Sequence, residues 1–304
     1  MNPVNEPRLN HVHCLSARGL HRMAYWEWGD ADNPDVVLCV HGLTRQGRDF
    51  DVPARELAGD PRRPRRVVCP DVVGRGHSDR LADPMAYGLP TYVADMVTLL
   101  ARLNVPQVDW VGTSMGGLIG LGLAGLPAPG DALPLVRRLV LNDVGPSIEP
   151  VALERIGSYV GQPARWPSAQ AAADALRVLA AGFGPHSAEE WLALSRPQLR
   201  PVKDAQGAGF GLHYDPAIAV PFHAATPEAA AMGEALLWQA YDRLRCPTLL
   251  LRGAESDLLS PATAQAMTQR GPRAQLVEFA GVGHAPTLVA ADQRAVLLRF
   301  LQQA

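Results

Sequence analysis

The feature that most constrains the fold of this chain is a rhythm. Short runs rich in Val and Leu recur at "DVVLCV" (Asp35–Val40), "RRVVCP" (Arg65–Pro70), "QVDWVG" (Gln107–Gly112), "LVRRLVLND" (Leu135–Asp143), "CPTLLLRG" (Cys246–Gly253) and "AQLVEFAG" (Ala274–Gly281). They hardly alternate between polar and apolar residues, which is the pattern of strands covered on both faces. Helix-like stretches separate them at Arg48–Ala58, Thr91–Leu103, Met115–Leu126, Pro261–Arg270 and Asp292–Gln302. Strand alternating with helix predicts a mainly parallel sheet with right-handed crossovers. Ahead of this pattern, "HVHCLSA" and "HRMAYWEWG" flank Arg18-Gly19 and suit an antiparallel hairpin at the sheet edge.

One segment breaks the rhythm. From Pro146 to Tyr241 no convincing buried strand is present, but Ala-rich helical stretches (Ala169–Ala181, Ala188–Ser195, Pro227–Tyr241) alternate with Pro-rich joints. The expected organisation is an α/β core at 1–145 and 242–304, interrupted by a helical cap at 146–241. Ligand crevices of open α/β sheets lie outside the carboxyl ends of the strands, so a cap there would enclose the site.

Composition narrows the function classes. The formal net charge is -2 and Lys203 is the only lysine among 28 basic residues. The dense basic run "RRPRR" (Arg62–Arg66) is expected to be a solvated turn, because a near-neutral chain offers no broad positive field for nucleic acid. Cys14, Cys39, Cys69 and Cys246 form no C-x-x-C pair, and no His cluster has metal-ligand spacing, so reduced, buried thiols and no metal are expected. The N-terminal stretch has no leader pattern and no window reaches the ~18 apolar residues of a membrane span, which suggests a cytoplasmic protein. Monomer and homodimer are both compatible with the sequence.

The chemistry centres on "WVGTSMGGLIG" (Trp110–Gly120), where Gly112-Thr113-Ser114-Met115-Gly116 reads as G-x-S-x-G between a predicted strand and a predicted helix. Gly112 and Gly116 let backbone and helix approach closely, which puts Ser114 at the apex of a sharp turn. The N–H of Met115, at a helix N-terminus, is then free to face an oxyanion. "VLCVHGLT" follows a strand with His41-Gly42 and offers the N–H of Leu43 as a second donor. "LLLRGAESDLLS" and "FAGVGHAP" end two further strands with Asp257 and His284. A serine hydroxyl becomes a nucleophile only when a base takes its proton and an acid orients that base. The chain order Ser114, Asp257, His284 supplies both.

On the motifs "HGLT", "PDVVGRGHSD" (Pro70–Asp79), "GTSMGG", "RGAESDLLSP" and "GVGHAPTL", the chain resembles the α/β-hydrolase family over nearly its whole length. The resemblance implies an eight-stranded sheet whose second strand is antiparallel, a cap after the sixth strand, the triad Ser114-Asp257-His284, and oxyanion donors at Leu43 and Met115. It also offers a rival acid, Asp143, because some members take the acid from the end of the sixth strand. Serine rather than aspartate at the elbow argues against the dehalogenase and epoxide hydrolase branches.

The expected activity is a cofactor-free serine hydrolase cleaving a carboxylic ester, lactone or thioester of a small to medium substrate. The same motifs are similar to those of 3-oxoadipate enol-lactonases and of carbon–carbon bond hydrolases of aromatic ring cleavage. A small-molecule-binding protein on a hydrolase scaffold is the non-enzymatic alternative. Substrate-binding candidates are His41, which in this family braces the oxyanion loop, and Arg45 just after it. The predicted cap adds Trp166, Trp191, Phe210, His213, Phe222 and Trp238. Its aromatics can line a pocket or pack its own core. His77 is expected to belong to a structural turn.

Overall fold

The hairpin strands β1 (Arg8–Ser16) and β2 (Gly19–Trp28) form one edge of an eight-stranded sheet in a computed structural model of the protein, which describes residues 6–127, 133–205 and 207–303. Residues 1–5, part of the N-terminal stretch read above for a leader, lie outside that description. The chain continues through β3 (Val36–Val40), α1 (Asp51–Ala58), β4 (Arg66–Pro70), α2 (Leu89–Leu103), β5 (Val108–Thr113), α3 (Met115–Ala124) and β6 (Val136–Asn142). An insertion follows with α4 (Pro150–Tyr159), β7 (Arg165–Trp166), α5 (Ala169–Leu179), α6 (Ala188–Ser195), β8 (Leu199–Asp204), β9 (Gly207–Leu212), α7 (Ala219–Ala224) and α8 (Pro227–Arg243). The chain then re-enters the sheet with β10 (Thr248–Gly253), α9 (Pro261–Gln269), β11 (Gln275–Phe279) and α10 (Ala291–Gln302).

The strand order is β1-β2-β4-β3-β5-β6-β10-β11. Pairing is antiparallel on both sides of β2 and parallel from β4 onward. This is the sheet that the sequence led us to expect. Its strands read as continuous apolar runs because their two faces feed two cores. Val36, Leu38 and Val40 point with Trp110 and Leu141 toward the Met96, Leu99 and Ile119 side. Val37 and Cys39 point with Val111 and Val140 toward Ala54, Leu57, Leu297 and Phe300. All four cysteines are buried and unpaired. Among the described residues, no helix is long and apolar enough to cross a membrane.

The insertion is not wholly helical, since β7, β9 and β8 form a three-stranded antiparallel sheet. Its strands escape a pattern search because β8 is mostly exposed and carries Pro201 and charges, while β9 spends alternate positions on Gly207, Gly209 and Gly211. The last expected cap helix, α8, packs on α3 and leads into β10, with the Tyr241 hydroxyl donating to the Met267 carbonyl. It therefore serves as a crossover of the core.

The "RRPRR" run is not a solvated turn either. Arg65 is 2% exposed and pairs with Asp109, Arg63 with Asp35 at 2.7 Å, and Arg66 with Glu27 at 2.6 Å. Burying Asp109 close to the half-buried Asp35 requires cations beside them, and Arg137 adds a third. The network gathers at the amino ends of β3, β4, β5 and β6, leaving the carboxyl ends for chemistry.

Candidate active site

Ser114 links β5 directly to α3 with φ 52 and ψ -119, a left-handed conformation that costs a non-glycine residue about 1–3 kcal/mol. Tight packing around the turn enforces it. A side chain at Gly116 would collide with the backbone carbonyl of Val40, and one at Gly112 with the backbone of Gly116. The buried Trp110 indole donates to the Gly116 carbonyl at 3.0 Å, and the Ser114 N–H to the Asn142 carbonyl at 2.9 Å. The result is a serine whose hydroxyl faces a cavity rather than the core.

His284 reaches this hydroxyl from the loop after β11, with Nε2 3.0 Å from Ser114 Oγ. Its Nδ1 lies 2.7 Å from Oδ2 of Asp143, which immediately follows β6 and is fully buried. A carboxylate can only accept, so Nδ1 carries the proton and Nε2 can take one from the serine. Asp143 is held in turn by the Gly253 N–H at 3.0 Å and the Ser256 hydroxyl at 2.6 Å.

Asp257, the acid expected from the ordinary order of the triad, is not beside His284. Ser256, Leu258 and Leu259 of its loop turn inward, and Asp257 turns outward between them. Both its oxygens bind Arg155 of α4, at 2.6 and 3.0 Å, and its side chain is 38% exposed. The rival, Asp143, is brought to the histidine because β6 is the sheet neighbour of β5, with Asn142 opposite Thr113. Sequence spacing does not reveal that adjacency.

The Gly42–Leu43 loop, expected to carry an oxyanion donor, lies against the elbow: a Cβ on Gly42 would be 3.6 Å from the Ser114 Cβ. Arg75, 1% exposed, donates to the Leu43 carbonyl at 2.8 Å and meets the Met115 sulfur at 3.6 Å, so one guanidinium braces both residues expected to carry the oxyanion donors. It also donates to the Tyr92 hydroxyl and the Val73 carbonyl. His41 is a brace too. Its Nε2 accepts the Val72 N–H at 2.9 Å and its Nδ1–H donates to the Gly42 carbonyl at 2.7 Å. Complete burial pushes its pKa down to about 3, so it stays neutral at working pH.

A cavity of about 350 Å³ opens above Ser114 and His284. Its walls come from Leu43 and Arg45 on the core side and from Arg155, Ile156, Tyr159, Leu176, Leu179, Phe183, Trp191, Leu194 and Tyr214 on the insertion side. Of the eight binding candidates, Arg45 and Trp191 line it. Arg45 is already engaged there by Asp49, through two contacts at 2.7 and 2.8 Å, and by the Leu194 carbonyl. Trp191 stacks on Phe183 with ring planes 2° apart.

The remaining aromatics of the expected cap serve the insertion or its seam with the core. Trp166 pairs with Phe210 across β7 and β9, and His213 sets its ring edge against His77. Phe222 packs beside Gly157, and Trp238 meets Tyr241 and Arg270. Ile156, Leu176 and Phe183 were missed because their helical stretches carry no signal of which face looks down on the sheet. His77 does hold a structural turn, its N–H donating to Asp71 at 2.9 Å. Burial raises the Asp71 pKa to about 6.

Tertiary structure also gathers Cys14, His21 and Asp95, whose potential ligand atoms lie within 4.8 Å of one another. The Asp95 carboxylate already engages His21 Nε2 at 2.9 and 3.0 Å. His21 Nδ1 has no hydrogen-bond partner among the described residues, so the outer contact that normally orients a metal-bound imidazole is lacking.

The elbow serine, the histidine bridged to a carboxylate, and the mostly parallel sheet that presents them match the arrangement of serine-type hydrolases. The chain belongs to the alpha/beta hydrolase family, whose pattern it matches over residues 37–297. It is similar to the 3-hydroxybutyrate-oligomer hydrolase of Cupriavidus necator, with 53% identity over 97% of each chain. It is also 29% identical, over 88% of its own length and 92% of the other, to a pimeloyl-[acyl-carrier protein] methyl ester esterase of Stenotrophomonas maltophilia. Among solved structures, an alpha/beta hydrolase from Novosphingobium aromaticivorans superimposes with a TM-score of 0.81 at 36% identity, covering 98% of this chain and 99% of that one. Family, site geometry and these relatives all fit ester hydrolysis by a serine.

Proposed function

We propose that the chain cleaves esters of short hydroxyacids, including linear oligomers of 3-hydroxybutyrate, through an acyl-enzyme on Ser114 with Asp143 as the acid. The observation that carries this reading is the unbroken chain Ser114 Oγ, His284 Nε2, His284 Nδ1, Asp143 Oδ2, with links of 3.0 and 2.7 Å, at the floor of the cavity. The substrate class rests on the 53% identity to the Cupriavidus necator hydrolase.

In the proposed reaction His284 Nε2 takes the Ser114 proton as Oγ attacks the ester carbonyl. The N–H groups of Leu43 and Met115 hold the oxyanion, each donor contributing about 3 kcal/mol to the barrier reduction. Asp143 fixes the Nδ1–H tautomer and stabilises the imidazolium. His284 then protonates the leaving alkoxide, and a water deprotonated by the same nitrogen releases the hydroxyacid. In this reading residues 146–224 act as a cap: Ile156, Leu176, Leu194 and the Phe183–Trp191 stack line the cavity, and their apolar surface suits a short acyl chain.

The test is turnover of p-nitrophenyl butyrate and of the 3-hydroxybutyrate dimer and trimer by wild type and Ser114→Ala. The expected result is hydrolysis of all three by wild type and of none by the variant. Activity that survives Ser114→Ala refutes the mechanism. Turnover of the nitrophenyl ester without the oligomers refutes the substrate class.

A further inference from the structure

Ser256 sits in the loop after β10, one residue before the aspartate that sequence order favoured as the acid. Its Oγ accepts the N–H groups of Leu258 and Leu259, each at 3.2 Å, and stands 2.6 Å from Oδ2 of the buried Asp143. A hydroxyl offers one hydrogen and two lone pairs, whereas a carboxylate offers only lone pairs. With both lone pairs facing N–H donors, the Ser256 hydrogen has a single destination, and that is Asp143.

We propose that Ser256 is a positioning residue of the catalytic chain, its hydroxyl locking the Asp143 carboxylate in the plane that directs Oδ2 at His284 Nδ1. The inference rests on the reading of Ser114, His284 and Asp143 as the triad. Oδ2 takes the Ser256 hydroxyl and the His284 Nδ1–H together, while Oδ1 takes the Gly253 N–H. Gly253 and Ser256 belong to one turn, closed by the Ser256 N–H donating to the Gly253 carbonyl at 2.9 Å. The turn thus grips both oxygens and leaves the carboxylate little freedom to rotate away from the imidazole. Aligned charge-assisted contacts of this kind are short and directional, and misalignment of the acid is transmitted to the base.

The position of Asp143 makes this support necessary. It follows the last residue of β6 with φ 56, so its own backbone is in a sparsely populated region, and its side chain is anchored from the neighbouring strand's loop. The same loop divides its work between adjacent residues. Ser256 faces inward to the acid, and Asp257 faces outward to Arg155.

The experiment measures kcat and KM for p-nitrophenyl butyrate against pH with the full chain, comparing wild type, Ser256→Ala, Ser256→Cys, Ser256→Thr and Asp143→Asn, with Tm recorded for each. A carboxylate that loses a donated hydrogen bond is more easily protonated, which moves the acid limb of kcat/KM upward. Ser256→Ala is expected to lower kcat on the order of tenfold with little change in KM, as expected when a hydrogen bond to a charged group is lost. Its acid limb is expected to move to higher pH. Ser256→Cys, a weaker donor of similar shape, should fall between wild type and Ser256→Ala, and Ser256→Thr, which keeps the hydroxyl, should restore most of the rate. A lower kcat with an unmoved acid limb in both Ser256→Ala and Ser256→Cys, or no rescue by Ser256→Thr at wild-type Tm, overturns the inference. If Asp143→Asn retains full turnover, the triad reading itself has failed, a result separable from any behaviour of the Ser256 variants.

Discussion

Asp143 Oδ2 lies 2.7 Å from His284 Nδ1, a contact made across 141 positions of sequence between the carboxyl ends of β6 and β11, with β10 between them in the sheet. Asp257, which stands in the loop expected to supply the acid, gives both its oxygens to Arg155 instead.

The two aspartates should therefore separate cleanly. Asp143→Asn should lower kcat by roughly 10³–10⁴-fold, because an amide in that place favours the wrong imidazole tautomer. Asp257→Asn removes an exposed ion pair of a kind that contributes at most about 1 kcal/mol to stability, so kcat should stay within a few-fold of wild type. Steady-state kinetics on p-nitrophenyl butyrate, with Tm as a folding control, decides between them. A larger loss in Asp257→Asn would return the acid role to that residue.

Arg75 ties the Leu43 carbonyl and the Met115 side chain together from beneath the cavity floor. Arg75→Met keeps the apolar bulk and removes, along with the contacts to Val73 and Tyr92, the charge-assisted hydrogen bond to the Leu43 carbonyl, worth roughly 1.5–3 kcal/mol. If that bond sets the angle of the oxyanion loop, kcat should fall about tenfold or more while KM changes little, because the donors act on the transition state. A rise in KM alone would assign Arg75 to substrate binding.

His41 provides a test of stability against pH. Burial lowers its pKa from 6.5 to about 3, so between these values the unfolded chain binds a proton that the folded chain does not. Stability from this residue is fully present above about pH 6.5 and is lost as pH falls toward 3. His41→Gln removes the titration. The wild-type advantage in unfolding free energy over His41→Gln, read by urea denaturation, should shrink on the order of 2 kcal/mol between pH 7 and pH 4.5. A gap that stays constant would contradict a neutral, buried imidazole.

Much of the molecule was legible in the sequence because its signals are local. Val and Leu runs marked the covered strands, and G-x-S-x-G marked the elbow, since only glycines tolerate the backbone contacts that Gly112 and Gly116 make there. His284 was legible from its place at the end of the last strand. The three small strands of the insertion were not, because exposed and glycine-spaced strands carry no apolar period.

By itself the sequence determined the core elements and their alternation and singled out Ser114 and His284. Only the tertiary structure decided which aspartate stands beside His284, because strand order is a property of the sheet. It set β6 beside β5, so Asp143 reached the histidine, and it turned the β10 loop so that Ser256 faced inward and Asp257 outward. It also chose the cavity wall, placing Leu176 and Phe183 on the cavity while Trp166 and Phe210 took opposite positions in the β7–β9 pair. Which face of a helix or loop meets the site depends on packing between elements far apart in the chain, and no local pattern encodes it.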